Sequence, residues 1–124
     1  MNIMTEKQQR GALGEQAAVE YLRQNGFMIV EQNCREGKSE IDIIALRYDE
    51  LHFVEVKTRK ANSMTSPEDA INSQKLRAMR RAASAYMAQH RLPYEPRFSL
   101  IAIEVAGEVV VSLRFIEDAL QYGW

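Results

Sequence analysis

Between Ser39 and Thr58 the chain reads SEIDIIALRYDELHFVEVKT, two apolar runs of strand length separated by the polar turn Tyr48-Asp49-Glu50. Short runs rich in Ile, Val and Phe, joined by so tight a turn, predict a β-hairpin. Period two places Glu40, Asp42 and Ile44 on one face of the first run, and Ile41, Ile43 and Ala45 on the other. In the second run Phe53, Glu55 and Lys57 share a face, with Val54 and Val56 opposite. Acids therefore stand where their neighbours are apolar. A carboxylate so placed needs a partner, because an isolated charge is expensive to remove from water. Any fold for this chain has to supply one.

A hard divalent cation such as Mg²⁺ (or Mn²⁺) is one such partner for Asp42 and Glu55 together, since it takes carboxylate and carbonyl oxygen and keeps waters for a substrate. Lys57, two residues beyond Glu55, reaches the same place. Phosphodiester hydrolysis uses this set, a metal to polarise phosphate and acidify water and a cation beside the attacking water. The alternative is a plain salt bridge from Lys57 to Asp42 or Glu55, and a D…ExK pattern alone does not separate the two.

The remaining chain predicts the frame. Leu13, Ala17, Ala18, Tyr21 and Leu22 mark a first helix from about Thr5 to Asn25, stopped by Asn25-Gly26. Glu15 borders its packed face, and Gly11 and Gly14 are spaced to let that turn approach another backbone. The acid is either a fourth group for the site or a favourable early-turn charge. Phe27–Val30 predicts a first strand, Ser39–Leu46 a second and Leu51–Thr58 a third, followed by a loop over Arg59–Thr65. Ser66-Pro67-Glu68-Asp69 has the form of a helix start, with the helix running to about His90. Arg97–Val105 and Val109–Phe115 predict two further strands, and Glu117–Tyr122 a short closing helix. The order predicts one α/β domain spanning 1–124, a mixed sheet with helices on its faces.

Charge is unevenly spread within a net of −1. Residues 1–56 carry −4, residues 57–97 carry +6 and residues 98–124 carry −3. The basic middle segment fits phosphate binding on one face. Arg77, Arg80 and Arg81 share a side of the second helix, which is either a phosphate-binding or a solvated face. Lys75 falls on the apolar side, an odd position unless its head reaches an anion, and Gln74 beside it can donate to phosphate. His52 and His90 show no partner pattern and are assigned structural or surface roles. A lone cysteine, Cys34, excludes an internal disulfide framework and a multi-thiolate metal site. No Gly-rich phosphate loop or serine-nucleophile motif is present, the N-terminus lacks a signal-peptide core, and no apolar run reaches membrane-spanning length. The expected location is the cytoplasm, with no membrane partner.

Three segments together, Gly11-Ala-Leu-Gly14-Glu15, Ser39-Glu-Ile-Asp42-Ile-Ile-Ala45 and Phe53-Val-Glu55-Val-Lys57-Thr-Arg59, resemble the YraN-like family of uncharacterised bacterial proteins. That family is similar in turn to archaeal Holliday junction resolvases and the PD-(D/E)xK nuclease superfamily. The resemblance covers about residues 8 to 120. It implies a restriction-endonuclease-like three-layer α/β/α fold with a mixed five-stranded sheet. It implies a catalytic set of Glu15, Asp42, Glu55 and Lys57, with Val56 offering its carbonyl as a further metal ligand. Ile41 stands where the superfamily has proline, and Ser39 where relatives often have glycine. The expected function is a metal-dependent nuclease, or a nuclease-derived protein that binds nucleic acid, DNA before RNA. Arg59, Lys60, Gln74, Lys75, Arg77, Arg80 and Arg81 would face its phosphates. The alternatives are a non-catalytic nucleic-acid-binding module of the same fold, or an interaction protein with a structural charged cluster. The oligomeric state, monomer or homodimer, stays open.

Overall fold

In the computed structural model, which describes residues 3–65 and 72–118, the order of elements is α1 (Glu6–Gln24), β1 (Met28–Glu36), β2 (Ser39–Arg47), β3 (Glu50–Lys60), α2 (Ser73–His90), β4 (Glu95–Ala106) and β5 (Val109–Ile116). The five strands form one open sheet in the order β1-β2-β3-β4-β5. Neighbours run antiparallel except β3 and β4, which are parallel and aligned from Glu50 opposite Glu95 to Lys60 opposite Val105. A parallel pair needs a crossover connection, and α2 lies in it.

The two helices cover opposite faces. Ala18, Val19 and Leu22 of α1 pack with Ile43, Ala45, Val54, Ile101 and Ile103. Leu76, Met79, Ala83 and Tyr86 of α2 pack with Ile44, Phe53, Phe98 and Leu100. Alternate residues of the central strands thus feed two cores, the three-layer arrangement expected from the sequence. Burying each large apolar side chain contributes roughly 1.5–3 kcal/mol.

Helix α1 matches its expected limits because both ends are capped. The Thr5 hydroxyl accepts from Gln8 N–H at 3.1 Å, and the Gln8 side chain accepts from Thr5 N–H at 2.9 Å. At the other end Gly26 adopts φ +86°, which glycine takes without strain.

Four expectations need correction. Strand β1 runs to Glu36 rather than ending at Val30. Among the described residues it is an edge strand paired only with β2, so its outer half stays polar and lacks an apolar run. Arg59 and Lys60 belong to β3 and not to a loop, because the parallel ladder with β4 holds them opposite Glu104 and Val105. Helix α2 does not run unbroken from the Ser66-Pro67 signal. Asn72 is extended, at φ −146° and ψ 173°, and caps the helix by accepting from Lys75 N–H at 2.8 Å. Ser66 to Asp69 lie outside the described residues, as does most of the closing helix expected after Glu117. Residues 117 and 118 themselves form a turn.

The fourth correction concerns faces. Ile43 and Ala45 join the α1 core and Ile44 the α2 core, but Ile41 packs on the α2 side with Ile44 rather than with Ile43. Alternation along β2 slips by one residue, and Asp42 lies in the slip.

Candidate functional site

The slip coincides with the end of a ladder. Strands β2 and β3 pair from Arg47 opposite Glu50 to Ile43 opposite Val54. Beyond that point the Asp42 carboxylate takes over, accepting from Val56 N–H at 2.8 Å. A side chain thus satisfies a backbone donor of the neighbouring strand and is held at the centre of a cluster.

Glu55 and Glu15 flank it. Glu55 shares the α2 face with Phe53, is 4% exposed, and pairs with Lys75 Nζ of α2 at 2.7 Å. The lysine on the apolar side of α2 does reach an anion. Glu15 comes from α1, and its Oε1 is buried without a hydrogen-bond partner. Burial pushes the Glu15 carboxyl above its usual range, against a stabilising hydrogen bond from Asn33. Burial, and then the Glu55 charge, push Asp42 up to about 7, with Glu15 adding to the rise while the Val56 N–H and Lys75 oppose it. Lys75 is ion-paired with Glu55 alone, and Asp42 carries the repulsion of both neighbouring acids.

Glu15, Asp42, Val56, Lys57 and Arg59 line one cavity of about 250 Å³ with Lys7, Arg10 and Gly11. Lys57 makes no salt bridge within 4.0 Å among the described residues, so the simple Lys57 ion pair is not what the structure contains; Lys75 occupies that role on Glu55. A larger cavity of about 440 Å³ opens beside α1, but its acids, Glu6 and Glu108, are exposed surface groups.

Gly14 sets the approach of α1. A Cβ there would lie 1.8 Å from Thr58 Oγ1, so α1 sits this close to β3 only with glycine at 14. The close neighbour is a side chain rather than the backbone expected, and Gly11 has open space instead. Gly11 borders the cavity, where a side chain would project.

The residues expected to meet nucleic acid divide. Lys75 is engaged with Glu55. Arg59 lines the carboxylate cavity, whereas Lys60 lies 3.8 Å from Glu6 and lines the larger cavity instead. Gln74, Arg77, Arg80 and Arg81 are exposed on α2, and the Arg80 guanidinium stands 5.9 Å from the Phe98 ring centroid. Among the described residues no helix is long and apolar enough to cross a membrane.

A second group of ligating side chains lies at the opposite end of β3, where Glu50, His52 and Glu117 come together. The sequence reading gave His52 no partner. The signal available was Glu50 and His52 two apart on one strand, hence on one face; Glu117 comes from after β5 and its approach is set by the sheet order.

A mixed five-stranded sheet covered by α1 and α2, with acids gathered where β2 leaves β3, defines an α/β protein of the restriction-endonuclease-like class. Residues 14–103 match Uncharacterised protein family UPF0102. The chain is 40% identical over 100 residues to a UPF0102 protein of Bacteroides thetaiotaomicron, covering 81% of this chain and 83% of the relative. It is 36% identical over 119 residues to one of Christiangramia forsetii, covering 96% and 99%, and 41% identical over 99 residues to one of Syntrophotalea carbinolica, covering 79% and 80%. The chain belongs to family UPF0102.

Proposed function

We propose that this protein is a divalent-metal-dependent nuclease that hydrolyses phosphodiester bonds in DNA at the Glu15–Asp42–Glu55 cluster. One observation carries the reading: a buried Glu15 oxygen has no hydrogen-bond partner beside Asp42, which burial and the charges of Glu55 and Glu15 push up to about 7. A structural ion-pair network balances its charges, because an uncompensated buried charge is costly. Here a Glu15 oxygen is left without a partner and Asp42 is repelled by its neighbouring acids, and a hard cation, which takes oxygen donors, would relieve both.

In this reading Asp42 and Glu55 would hold Mg²⁺ or Mn²⁺, with the Val56 carbonyl and Glu15 as further oxygen donors. Bound there, a divalent ion would supply Lewis acidity for a phosphate oxygen and for a water. Asp42 is aimed by the Val56 N–H, and Glu55 by Lys75, so both carboxylates are oriented before a metal arrives. Lys57, unpaired within 4.0 Å among the described residues and lining the same cavity, stabilises the attacking water and the charge developing on phosphate. Arg59, with Arg77, Arg80 and Arg81 on exposed α2, supplies cations for the flanking phosphates.

The test is Mg²⁺-dependent cleavage across linear, single-stranded and branched DNA, with EDTA as control. Metal-dependent cleavage by the wild type supports the reading. Absence of cleavage on all three, with salt-sensitive binding retained, would assign the fold to a non-catalytic binding module.

A further inference from the structure

At the N-terminal end of β3 the His52 ring is 1% exposed and its Nε2 is buried without a hydrogen-bond partner. That nitrogen faces two carboxylates, Glu50 Oε1 at 3.7 Å and Glu117 Oε1 at 3.8 Å. Both distances are too long for a hydrogen bond. The three ligand atoms lie within 4.8 Å of one another. Three donors on one ion at bonds of about 2.1 Å stand roughly 3.4–3.7 Å apart, so the Glu50 distance falls at the edge of that range and the Glu117 distance just beyond it.

The groups behind the donors hold them in place. Ser99 Oγ lies 3.0 Å from His52 Nδ1 and accepts from Asp118 N–H at 3.2 Å, which orients the ring with Nε2 towards the acids. Arg97 engages Glu50 through Oε2, at 3.0 and 2.8 Å, and leaves Oε1 facing the imidazole. Arg47 Nη2 donates at 2.6 Å to Glu117 Oε1, the oxygen that also faces the imidazole, so it holds this carboxylate in place through the ligand atom itself. Metal-ligating histidines and carboxylates are ordinarily supported this way by a second layer of hydrogen bonds. Four carboxylates, Glu50, Glu95, Glu117 and Asp118, stand against the two guanidiniums of Arg47 and Arg97, which leaves charge for a divalent ion to balance.

We infer that Glu50, His52 and Glu117 form a second metal site, selective for a borderline transition ion such as Zn²⁺, which clips the chain just after β5 onto the start of β3. Imidazole nitrogen with two carboxylates suits Zn²⁺ better than Mg²⁺, whereas the cluster around Asp42 offers oxygen alone. The site is independent of the nuclease reading.

The experiment titrates ZnCl₂ into untagged Asp42→Asn protein in excess Mg²⁺, followed by calorimetry and melting. One Zn²⁺ should bind and raise Tm, as any ligand confined to the native state does. Glu117→Gln, at a half-exposed position, should weaken Zn²⁺ binding about tenfold or more, the scale on which even supporting groups of metal sites act. Cu²⁺-loaded protein should show ¹⁴N coupling from one imidazole by pulsed EPR, kept in His90→Gln and lost in His52→Gln. Zn²⁺ affinity unchanged by Glu117→Gln, no uptake by Asp42→Asn protein, or ¹⁴N coupling that follows His90 would each overturn the site. None of these readouts depends on DNA cleavage.

Discussion

The two ends of β3 solve one problem differently. Where the strand starts, planar guanidiniums grip the acids: Arg97 alone lies within 3.3 Å of carboxylate oxygens of Glu50, Glu95 and Asp118. Towards its other end, Glu55 has one lysine, Asp42 has one backbone N–H, and a Glu15 oxygen has no partner. Arginine presents a rigid fork that fills carboxylate lone pairs, whereas lysine is a mobile point charge that leaves most of them free. Acids at the first end are thus fixed around a single imidazole nitrogen. At the second end they keep oxygen lone pairs free, which the proposed hard cation would take.

The largest effect expected from this contrast is on cleavage. Asp42→Asn should reduce a Mg²⁺-dependent rate by ~10²-fold or more, since metal and preorganised charge supply several kcal/mol of transition-state stabilisation. Its metal-free Tm should not fall, because a desolvated, self-repelling charge has gone. Arg97→Met should show the reverse, a lower Tm with cleavage retained. Undiminished cleavage by Asp42→Asn, measured beside the wild type on one substrate, would sink the nuclease mechanism.

Gly14→Ala tests whether the helix that delivers Glu15 depends on its contact with Thr58. Inserting the methyl where Oγ1 would be 1.8 Å away should cost about 1–3 kcal/mol by denaturant unfolding. Adding Thr58→Ala should restore part of that loss, and a strictly additive double mutant would remove the contact from the account.

The exposed arginines of α2 belong to neither end. If they serve DNA, replacing Arg77, Arg80 and Arg81 with Gln should weaken binding and flatten the log–log salt dependence by about 0.9 per lost duplex phosphate contact. An unchanged slope would leave them as solvated surface.

The smallest expected effect is alkaline. Burial, then the Glu31 charge, push the Tyr86 phenol up to about 12 from an ordinary 10.0. Burial, with Glu31 again, pushes the Cys34 thiol up to about 12 from 9.0. Both folded values exceed the unfolded ones, so the native state keeps protons that the unfolded chain releases. Stability from these groups is complete below the unfolded values and is lost as pH rises towards 12. Tyr86→Phe should reduce the slope of denaturant midpoint against pH between 10 and 12, and an identical slope would remove the phenol from the explanation.

How much of this was legible follows from the range of each signal. The limits of α1 were legible because the apolar stripe and the Asn25-Gly26 stop are local signals; the Thr5–Gln8 capping box emerged only in the structure. Lys75 was legible as a conflict, a charge on an apolar stripe, and the structure resolves it at Glu55. Strand β1 was cut short because an edge strand needs no apolar run, and Ile41 was put on the wrong face because period two assumes an uninterrupted ladder. Of the Glu50–His52–Glu117 group only the first pair left a signal, a spacing of two on one strand; Glu117 joins it only once β5 has been placed against β4.

The parallel junction of β3 and β4 also divides the chain in time. The β1–β2–β3 meander closes through hairpins between sequence neighbours, and Asp42 and Glu55 emerge on it together. Strand β4 must find β3 across the whole of α2, with Glu50 waiting for Glu95. Contacts between distant residues carry the larger loop-closure entropy and set the pace of folding. A nascent chain therefore displays its acidic hairpin before the lysine of α2 is in place to restrain Glu55, and it completes the sheet only when the last two strands have been synthesised.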